Sequence, residues 1–518
     1  MSSTAKRVIK NTGFLYAKMS ITMFISLYAT RLILNSLGAS DFGIFNIVGG
    51  AIAMLGFLNG AMASATQRFM SYSEGEGNKE KQKCIFNISL ALHFVISILV
   101  GIILLAAGFV FFNGVLNIPS NRIFAAQVVY GSLIVSTMFT VMTVPYDAVM
   151  NAHENMKYYA LVGIIESLLK LFVAFVCVYT FYDKLIVYGI LMACIPLITL
   201  TIMRIYCHRH YAECAIALRK YWDKSTMKEM ISFAGWNFMT SILGLLSHQG
   251  TGLVLNHFFG TIVNAAQGIT YQLSGQLGVL STQTTKALNP PIIKKAGAHQ
   301  LDQMYNIASL GSKITLFMTT VIFLPFLLNQ HQFLTLWLVN VPEYTSIFIF
   351  FYFMTNIVDS FGLFFITSIN GIGKIKQINL FNSFISLFPF FGSILFFAMD
   401  FPPYWAYILM LISAVFKLCI RIYYSHKICH FNLTQMLLND VLRPMSCIVF
   451  FFSFCWVLKP ETVNSDIILL ILFSILSMLL YTVLTLYITL NSMERNKIYS
   501  MAYKILKRIN QNGRKQHQ

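Results

Sequence analysis

The fold class is decided by long uncharged runs, and the clearest of them is residues 84–112, CIFNISLALHFVISILVGIILLAAGFVFF. This run contains no Asp, Glu, Lys or Arg, and about 20 apolar residues suffice to cross a bilayer core as a helix. Comparable runs recur along the 518 residues, of which 57% are hydrophobic and 11% charged. Only helices and closed barrels satisfy their backbone groups in lipid, and the alternating segments of a barrel are absent. The sequence therefore predicts an all-α polytopic membrane protein.

Charged residues divide the apolar runs into about fourteen predicted transmembrane helices. The predicted spans are 14–36, 44–66, 84–112, 123–150, 157–181, 185–205, 231–257, 263–288, 305–328, 345–370, 377–399, 404–424, 442–458 and 466–490. Lysine and arginine concentrate in short cytoplasmic loops. With the N terminus inside, 29 of the 37 basic residues fall in inward segments, and only Arg122, Lys184 and Lys459 fall in outward ones. We therefore predict that both termini are cytoplasmic.

The formal net charge of +18 is explained by this orientation and by contact with anionic membrane lipids. A soluble protein with the same excess would be expected to bind nucleic acid, which is not expected here. The first ten residues are polar and lead into a full span, so no cleaved signal peptide is expected. The nine cysteines are scattered without a CxxC pair, which predicts no disulfide framework, no metal site and no cofactor.

An internal repeat divides the predicted helices into two bundles. The stretch Arg31–Asn35, RLILN, has a counterpart in Gly252–Asn256, GLVLN, and after one inserted residue Gly38 aligns with Gly260. Parallel repeats of this kind are a common transporter plan, with the substrate path at their interface. We predict two pseudo-symmetric six-helix bundles followed by two further helices. The predicted divisions are 1–206 for the first bundle, 207–230 for a cytoplasmic linker, 231–424 for the second bundle, 425–490 for the added helices and 491–518 for a basic tail.

Three short motifs carry a family resemblance. They are Arg31–Phe45, RLILNSLGASDFGIF, then Val144–Ala152, VPYDAVMNA, and Phe233–Asn237, FAGWN. In these motifs and in its span layout the chain resembles the Wzx-type flippases of O-antigen and capsule synthesis. That family belongs to a superfamily that includes the multidrug and toxin extrusion (MATE) pumps and the lipid II flippase. The resemblance implies a MATE-like fold.

The resemblance also implies an activity. Wzx-type proteins move undecaprenyl-diphosphate-linked oligosaccharide from the cytoplasmic to the outer leaflet of the bacterial inner membrane by alternating access. The implied partners are this lipid-linked oligosaccharide, the membrane lipids, and the polysaccharide polymerase and chain-length machinery. The chain departs from the multidrug pumps because its first span has no obvious paired-acid site, which counts against drug efflux.

Five basic residues fall inside predicted spans, where a charge costs roughly 3 kcal/mol and usually faces a cavity. They are Lys18, Arg31, Lys170, Lys313 and Lys417. A flippase cavity needs cationic groups for the diphosphate, which makes these residues candidate substrate contacts, with Arg31 first. For Lys18, Lys313 and Lys417 the alternative is that the long side chain snorkels to the headgroups. For Lys170 the alternative is a structural ion pair with Glu166, one helical turn away.

Acidic residues inside spans are candidates for coupling transport to Na⁺ or H⁺. Asp359 lies deep in the tenth predicted span with no basic neighbour in its own helix, and Glu166 is the second candidate. Asp359 is expected to titrate, to bind a cation or to pair with a base from another helix. The histidines His93 and His248 are isolated, which favours hydrogen-bonded packing over a proton relay.

Two other functions stay open at this point. A cation-coupled exporter of small amphiphiles would need a neutral or acidic cavity instead of a basic one. A membrane-embedded polysaccharide polymerase would usually carry a large outer loop, whereas every predicted outer loop here is short. Walker, HExxH and nucleophile-elbow motifs are absent from the sequence, so an enzyme is not expected.

Overall fold

The computed structural model describes residues 3–53, 56–112, 118–338, 341–458, 467–496 and 499, and within these ranges every regular element is a helix. We number the main helices in chain order. They are α1 (Ser3–Ala53), α2 (Gly56–Glu76), α3 (Lys79–Val110), α4 (Ile123–Ala152), α5 (Met156–Tyr179), α6 (Lys184–His210), α7 (Lys224–Gly297), α8 (Leu301–Leu328), α9 (Gln330–Leu338), α10 (Thr345–Phe361), α11 (Leu363–Ile372), α12 (Lys376–Ala398), α13 (Trp405–Cys429), α14 (Leu433–Leu458) and α15 (Ile467–Thr489).

Eleven of the described helical segments are long and apolar enough to cross a membrane, or twelve if α10 and α11 form one span with a 41° bend. The predicted all-α multi-pass class is confirmed, whereas the count of fourteen is not. The predicted spans 44–66 and 263–288 are not among these segments. The predicted span 44–66 includes residues 54 and 55, which lie outside the described residues, whereas 263–288, helical where described, is rich in small and polar residues that lower its hydropathy. Such residues allow close helix packing in membranes, which hydropathy does not register.

Two long helices, α1 and α7, each contain one backbone break, and both breaks fall on glycine. Gly38 has φ 78° and ψ 167°, and Gly260 has φ 78° and ψ −167°. This region of backbone space is essentially restricted to glycine. These are the two glycines that the repeat aligns, so the backbone supports the alignment.

The chain divides into two compact units, each described separately below. The N-terminal unit consists of residues 7–242 and 290–300, and the C-terminal unit of residues 1–6, 243–289 and 301–518. The predicted boundaries at 206, 230, 424 and 490 stay predictions.

In the N-terminal unit, α4 packs against α3 and α6 around a buried apolar core. Val48, Leu104, Val129 and Leu185 are fully buried in it. The Tyr130 hydroxyl lies in the same core and donates to the carbonyl of Leu104 at 2.6 Å, which satisfies a polar group that would otherwise be costly there. This core holds α3, α4 and α6 as one rigid group.

An ion cluster in the N-terminal unit joins α1 to the residues that directly precede α4 and α6. Arg122, just before α4, contacts Asp41 of the first sequence motif through Nε at 2.9 Å, and Asp183 before α6 through Nη1 at 2.6 Å. The hydrogen bond from Arg122 lowers the pKa of Asp183 below its ordinary value. The acidic residue of the motif thus has a structural partner.

In the C-terminal unit, aromatic packing joins α10 to α13. Phe348 and Tyr407 are fully buried and their rings stack with centroids 4.3 Å apart. Helices α14 and α15 pack on α8, and the hydroxyl of Thr320 on α8 donates to that of Tyr481 on α15 at 2.7 Å. The two added helices therefore form part of this unit.

Candidate functional site

A polar cavity of about 130 Å³ lies inside the C-terminal unit, between α7, α10, α12 and α13. It is lined by Gly244, Ser247, His248, Thr355, Asp359, Ser386, Pro389, Met410, Ser413, Ala414 and Lys417. Seven of these eleven side chains are polar or charged. A polar cavity between apolar helices is the kind of site that a membrane transporter uses for cargo.

Asp359 is the one carboxylate among the lining residues that the structure describes, and it is paired. Its Oδ1 accepts from Nη1 of Arg421 on α13 at 3.1 Å, and the same nitrogen lies 3.3 Å from the Asp359 carbonyl. The Asp359 side chain is 44% exposed and that of Arg421 only 14%. Of the three roles expected for Asp359, the structure shows pairing with a base from another helix.

Arg421 was missed as a site residue because the charge count assigned it to an inward segment, although the predicted span 404–424 contains it. In the structure, α13 continues to Cys429, so Arg421 lies two turns inside the helix. Its buried Nε has no hydrogen-bond partner among the described residues. The signal that could have identified it is its own position inside the predicted span 404–424.

Lys417 lies one turn before Arg421, so the two bases share a face of α13. Asp359 is the one carboxylate among the described lining residues and it faces two bases, so this corner of the cavity has more basic than acidic groups. Lys417 lines the cavity. Of the two alternatives given for this residue, a cavity position or snorkelling to the headgroups, this is the first. Such an arrangement can hold an anion, because charge-assisted hydrogen bonds to an anionic oxygen are the strongest available here.

His248 is held in the cavity wall by two tyrosines. Its ring stacks on Tyr271 with centroids 3.9 Å apart, and its Nε2 lies 3.5 Å from the hydroxyl of Tyr352. Histidine 93, in the N-terminal unit, has Nδ1 2.8 Å from the Ser89 carbonyl of its own helix. Both histidines are therefore packed against partners, as expected for isolated histidines.

The N-terminal unit brings three of the predicted residues to one face of α5. Tyr159, Gly163, Glu166 and Lys170 follow helical spacing, and Lys18 of α1 reaches this face. Its Nζ lies 4.4 Å from the centre of the Tyr159 ring. The side chain packs so closely on Gly163 that a Cβ there would lie 2.1 Å from Lys18 Cε. The lysine therefore lies along α5.

Further along the same face, Lys170 Nζ donates to Glu166 at 2.7 Å, and both side chains remain about half exposed. The predicted i, i+4 pair is present, and its exposure leaves it accessible to other groups. Arg31, on α1, is exposed. The N-terminal unit thus presents three bases and one acid on α1 and α5.

Lys313 lies outside the cavity, in a closed ion cluster of the C-terminal unit. Its Nζ contacts Glu494 at 3.0 Å and Asp440 of α14 at 3.7 Å, and its side chain is only 1% exposed. Tyr305 also donates to Asp440 at 2.8 Å. Neither carboxylate was singled out from the sequence, because both fall in segments predicted to lie outside the membrane.

The chain matches one protein family and is similar to several solved transporter structures. The family model described as "Polysaccharide biosynthesis protein" matches residues 8–292. No curated protein sequence matches the chain. Among solved structures, an outward-facing multidrug resistance MATE family transporter of the MOP superfamily is similar with a TM-score of 0.71 at 12% identity, covering 82% of this chain and 96% of that one.

Two further structures show the same fold. A MOP superfamily transporter from Pyrococcus furiosus, described as having a binding pocket of reversed polarity that suggests a different function, has a TM-score of 0.68 at 12% identity. That similarity covers 84% of this chain and 96% of the other. A MATE protein in its straight conformation has a TM-score of 0.66 at 14% identity, covering 82% and 96%. The MATE-like fold is therefore confirmed.

Proposed function

Because this chain belongs to the polysaccharide biosynthesis protein family, we propose that it is a flippase for undecaprenyl-diphosphate-linked oligosaccharide. It moves this cargo from the cytoplasmic to the outer leaflet of the bacterial inner membrane by alternating access, with both termini in the cytoplasm. The polysaccharide polymerase and chain-length machinery are its partners in this proposal.

The observation that carries the proposal is the positive charge of the cavity. Lys417 lines it, and Arg421 pairs with the one lining carboxylate while keeping its Nε without a described partner. A diphosphate head is anionic, and desolvated bases bind phosphate oxygens strongly. Efflux of cationic drugs would favour the opposite charge. Pocket polarity is also the property from which a different function was suggested for the Pyrococcus furiosus transporter of this fold.

The polar cavity wall supports a glycan next to the diphosphate. Ser247, Thr355, Ser386 and Ser413 supply hydroxyl groups that can donate or accept. The exposed Arg31 and the partly exposed Lys18 and Lys170 give the N-terminal unit a second group of bases. We propose these residues as further substrate contacts.

Coupling to an ion gradient is proposed at Asp359. Its carboxylate is partly exposed and lies in the cavity, and its partner Arg421 is a cation that a bound diphosphate could attract away. Release of Asp359 from Arg421 would free the carboxylate for H⁺ or Na⁺. Glu166 is the corresponding group of the N-terminal unit, with Lys170 as its partner.

The decisive experiment measures surface polysaccharide in cells whose only copy of the protein carries Lys417→Met or Arg421→Met. We expect loss of surface glycan and accumulation of lipid-linked oligosaccharide on the cytoplasmic face. Lys427→Met is the matched control, since Lys427 is an exposed lysine on the same helix outside the cavity lining. Arg31→Ala tests the N-terminal surface in the same assay.

Two results would count against the proposal. Normal glycan export by both cavity variants, at normal protein levels, would remove the cavity bases from the mechanism. Loss of resistance to cationic drugs, with glycan export intact, would instead support the cation-coupled exporter.

A further inference from the structure

The connection between α6 and α7 is held firmly against α3. The buried Asn87 side chain donates to the Ala215 carbonyl at 2.9 Å and accepts from the Ala217 amide at 2.8 Å. Cys214 is buried beside these contacts. These two hydrogen bonds fix the backbone of residues 214–218 against α3.

A groove of about 360 Å³ opens beneath this connection, within the N-terminal unit. It is lined by Leu90, Ala91, Phe94, Val95, Met142, Tyr146, Leu200, Arg204, Ile216 and Leu218. Its size falls within the range of small-molecule sites. All but two of the lining side chains are apolar, so the groove suits a hydrocarbon chain.

The groove is open to lipid along α3. Phe94 and Val95 are 55% and 58% exposed, and Ile216 of the connection is 46% exposed. Phe94 and Val95 belong to α3, which is a candidate membrane span, so in a bilayer the groove mouth would face acyl chains.

The polar end of the groove is positive. Arg204 is the only charged residue among the ten described lining residues, and Tyr146 adds a hydroxyl. Arg219 and Lys220, which directly follow the lining residue Leu218, are exposed and extend the same charge. In the proposed orientation this end lies at the cytoplasmic face, where anionic headgroups attract basic residues by about 1 kcal/mol each.

We propose that this groove is a binding site for an anionic phospholipid of the surrounding membrane. One acyl chain occupies the space between α3, α4 and α6, and the phosphate contacts Arg204. The headgroup lies under residues 214–218, so the bound lipid connects the α6–α7 segment to the membrane surface. Membrane lipid is the favoured occupant because it is always present at high local concentration.

The test uses the purified full-length protein and native mass spectrometry with phosphatidylglycerol or phosphatidylcholine of identical chains. We expect the wild-type protein to retain phosphatidylglycerol preferentially. Arg204→Gln should weaken phosphatidylglycerol binding about tenfold, since a charge-assisted hydrogen bond is lost, and should leave phosphatidylcholine unchanged. Arg209→Gln is the matched control, because Arg209 is exposed and does not line the groove.

A second variant tests the apolar part. Ala91→Phe should fill the groove and reduce retention of both lipids, and Leu200→Trp replaces it if Ala91→Phe does not fold. Equal phosphatidylglycerol retention by wild type and Arg204→Gln would overturn the proposal. So would tight binding of undecaprenyl phosphate to the groove without binding of phosphatidylglycerol, which would assign the groove to the cargo tail.

Discussion

Replacing Lys313 by methionine should strongly destabilise the C-terminal unit. The lysine is 1% exposed and is shared by Glu494, which is 15% exposed, and by the fully buried Asp440. Removing one partner of a buried ion pair usually costs about 3–5 kcal/mol, because the other charge is left unpaired. Methionine fills a similar apolar volume, so little of the loss comes from packing.

The hydrogen bonds that the two carboxylates keep place the expected loss of unfolding free energy near the lower end of that range. Asp440 keeps the hydrogen bond from Tyr305, and Glu494 keeps that from the Asn491 amide at 2.9 Å. Glu494 also makes the two closest contacts to Lys313, at 3.0 and 3.1 Å. We therefore expect a loss of about 3 kcal/mol, and we expect Lys313→Met/Glu494→Gln to recover part of it.

Unfolding in detergent by titration with SDS, followed by fluorescence, measures this change. Lys427→Met is the control for loss of an exposed lysine on another helix. The destabilisation by Lys313→Met should shrink at acidic pH, where the orphaned carboxylates can take up protons. A loss below about 1 kcal/mol would refute the reasoning, because that is the range of exposed ion pairs.

Other predictions concern the backbone breaks and the ion cluster before α4 and α6. Gly38→Ala and Gly260→Ala should each lower the free energy of unfolding by about 1–3 kcal/mol. The control Gly131→Ala lies in a regular helix with open space around it, so it should be neutral or slightly stabilising. SDS titration measures the unfolding free energy of all three variants. The pKa of Asp183 is lowered by Arg122, so its contribution to stability is complete above the ordinary value of about 3.9 and falls as pH drops through the lower folded value. Arg122→Gln should remove that part of the acid dependence, and an unchanged acid unfolding curve would contradict it.

Some features were accessible from the sequence because their causes are local. The alignment of Gly38 with Gly260 was found from the repeated residues alone, whereas the backbone break at both positions was seen only in the structure. Asp359 was singled out because a carboxylate in an apolar run is rare and costly. The pair Glu166 and Lys170 follows from helical spacing alone.

Other features depended on helices that are distant in the chain. Arg421 pairs with Asp359 across 62 residues, and Glu494 pairs with Lys313 across 181. Arg421 was counted with an inward segment and Glu494 with the basic tail, because a charge count along the chain does not show which helices meet. The predicted span 263–288 illustrates another difficulty, since its small and polar residues lower its hydropathy although it is helical where described.

By itself, the sequence determined the membrane class, the helical runs, the pair of aligned glycines and the rarity of charge inside the spans. These properties follow from the polarity of each segment and from the allowed backbone angles of single residues. The tertiary structure decided which charges meet: Asp359 with Arg421, Lys313 with its two carboxylates, and Lys18 with α5. Ion pairing and cavities arise from how separate helices pack, and no local pattern in the chain encodes that packing.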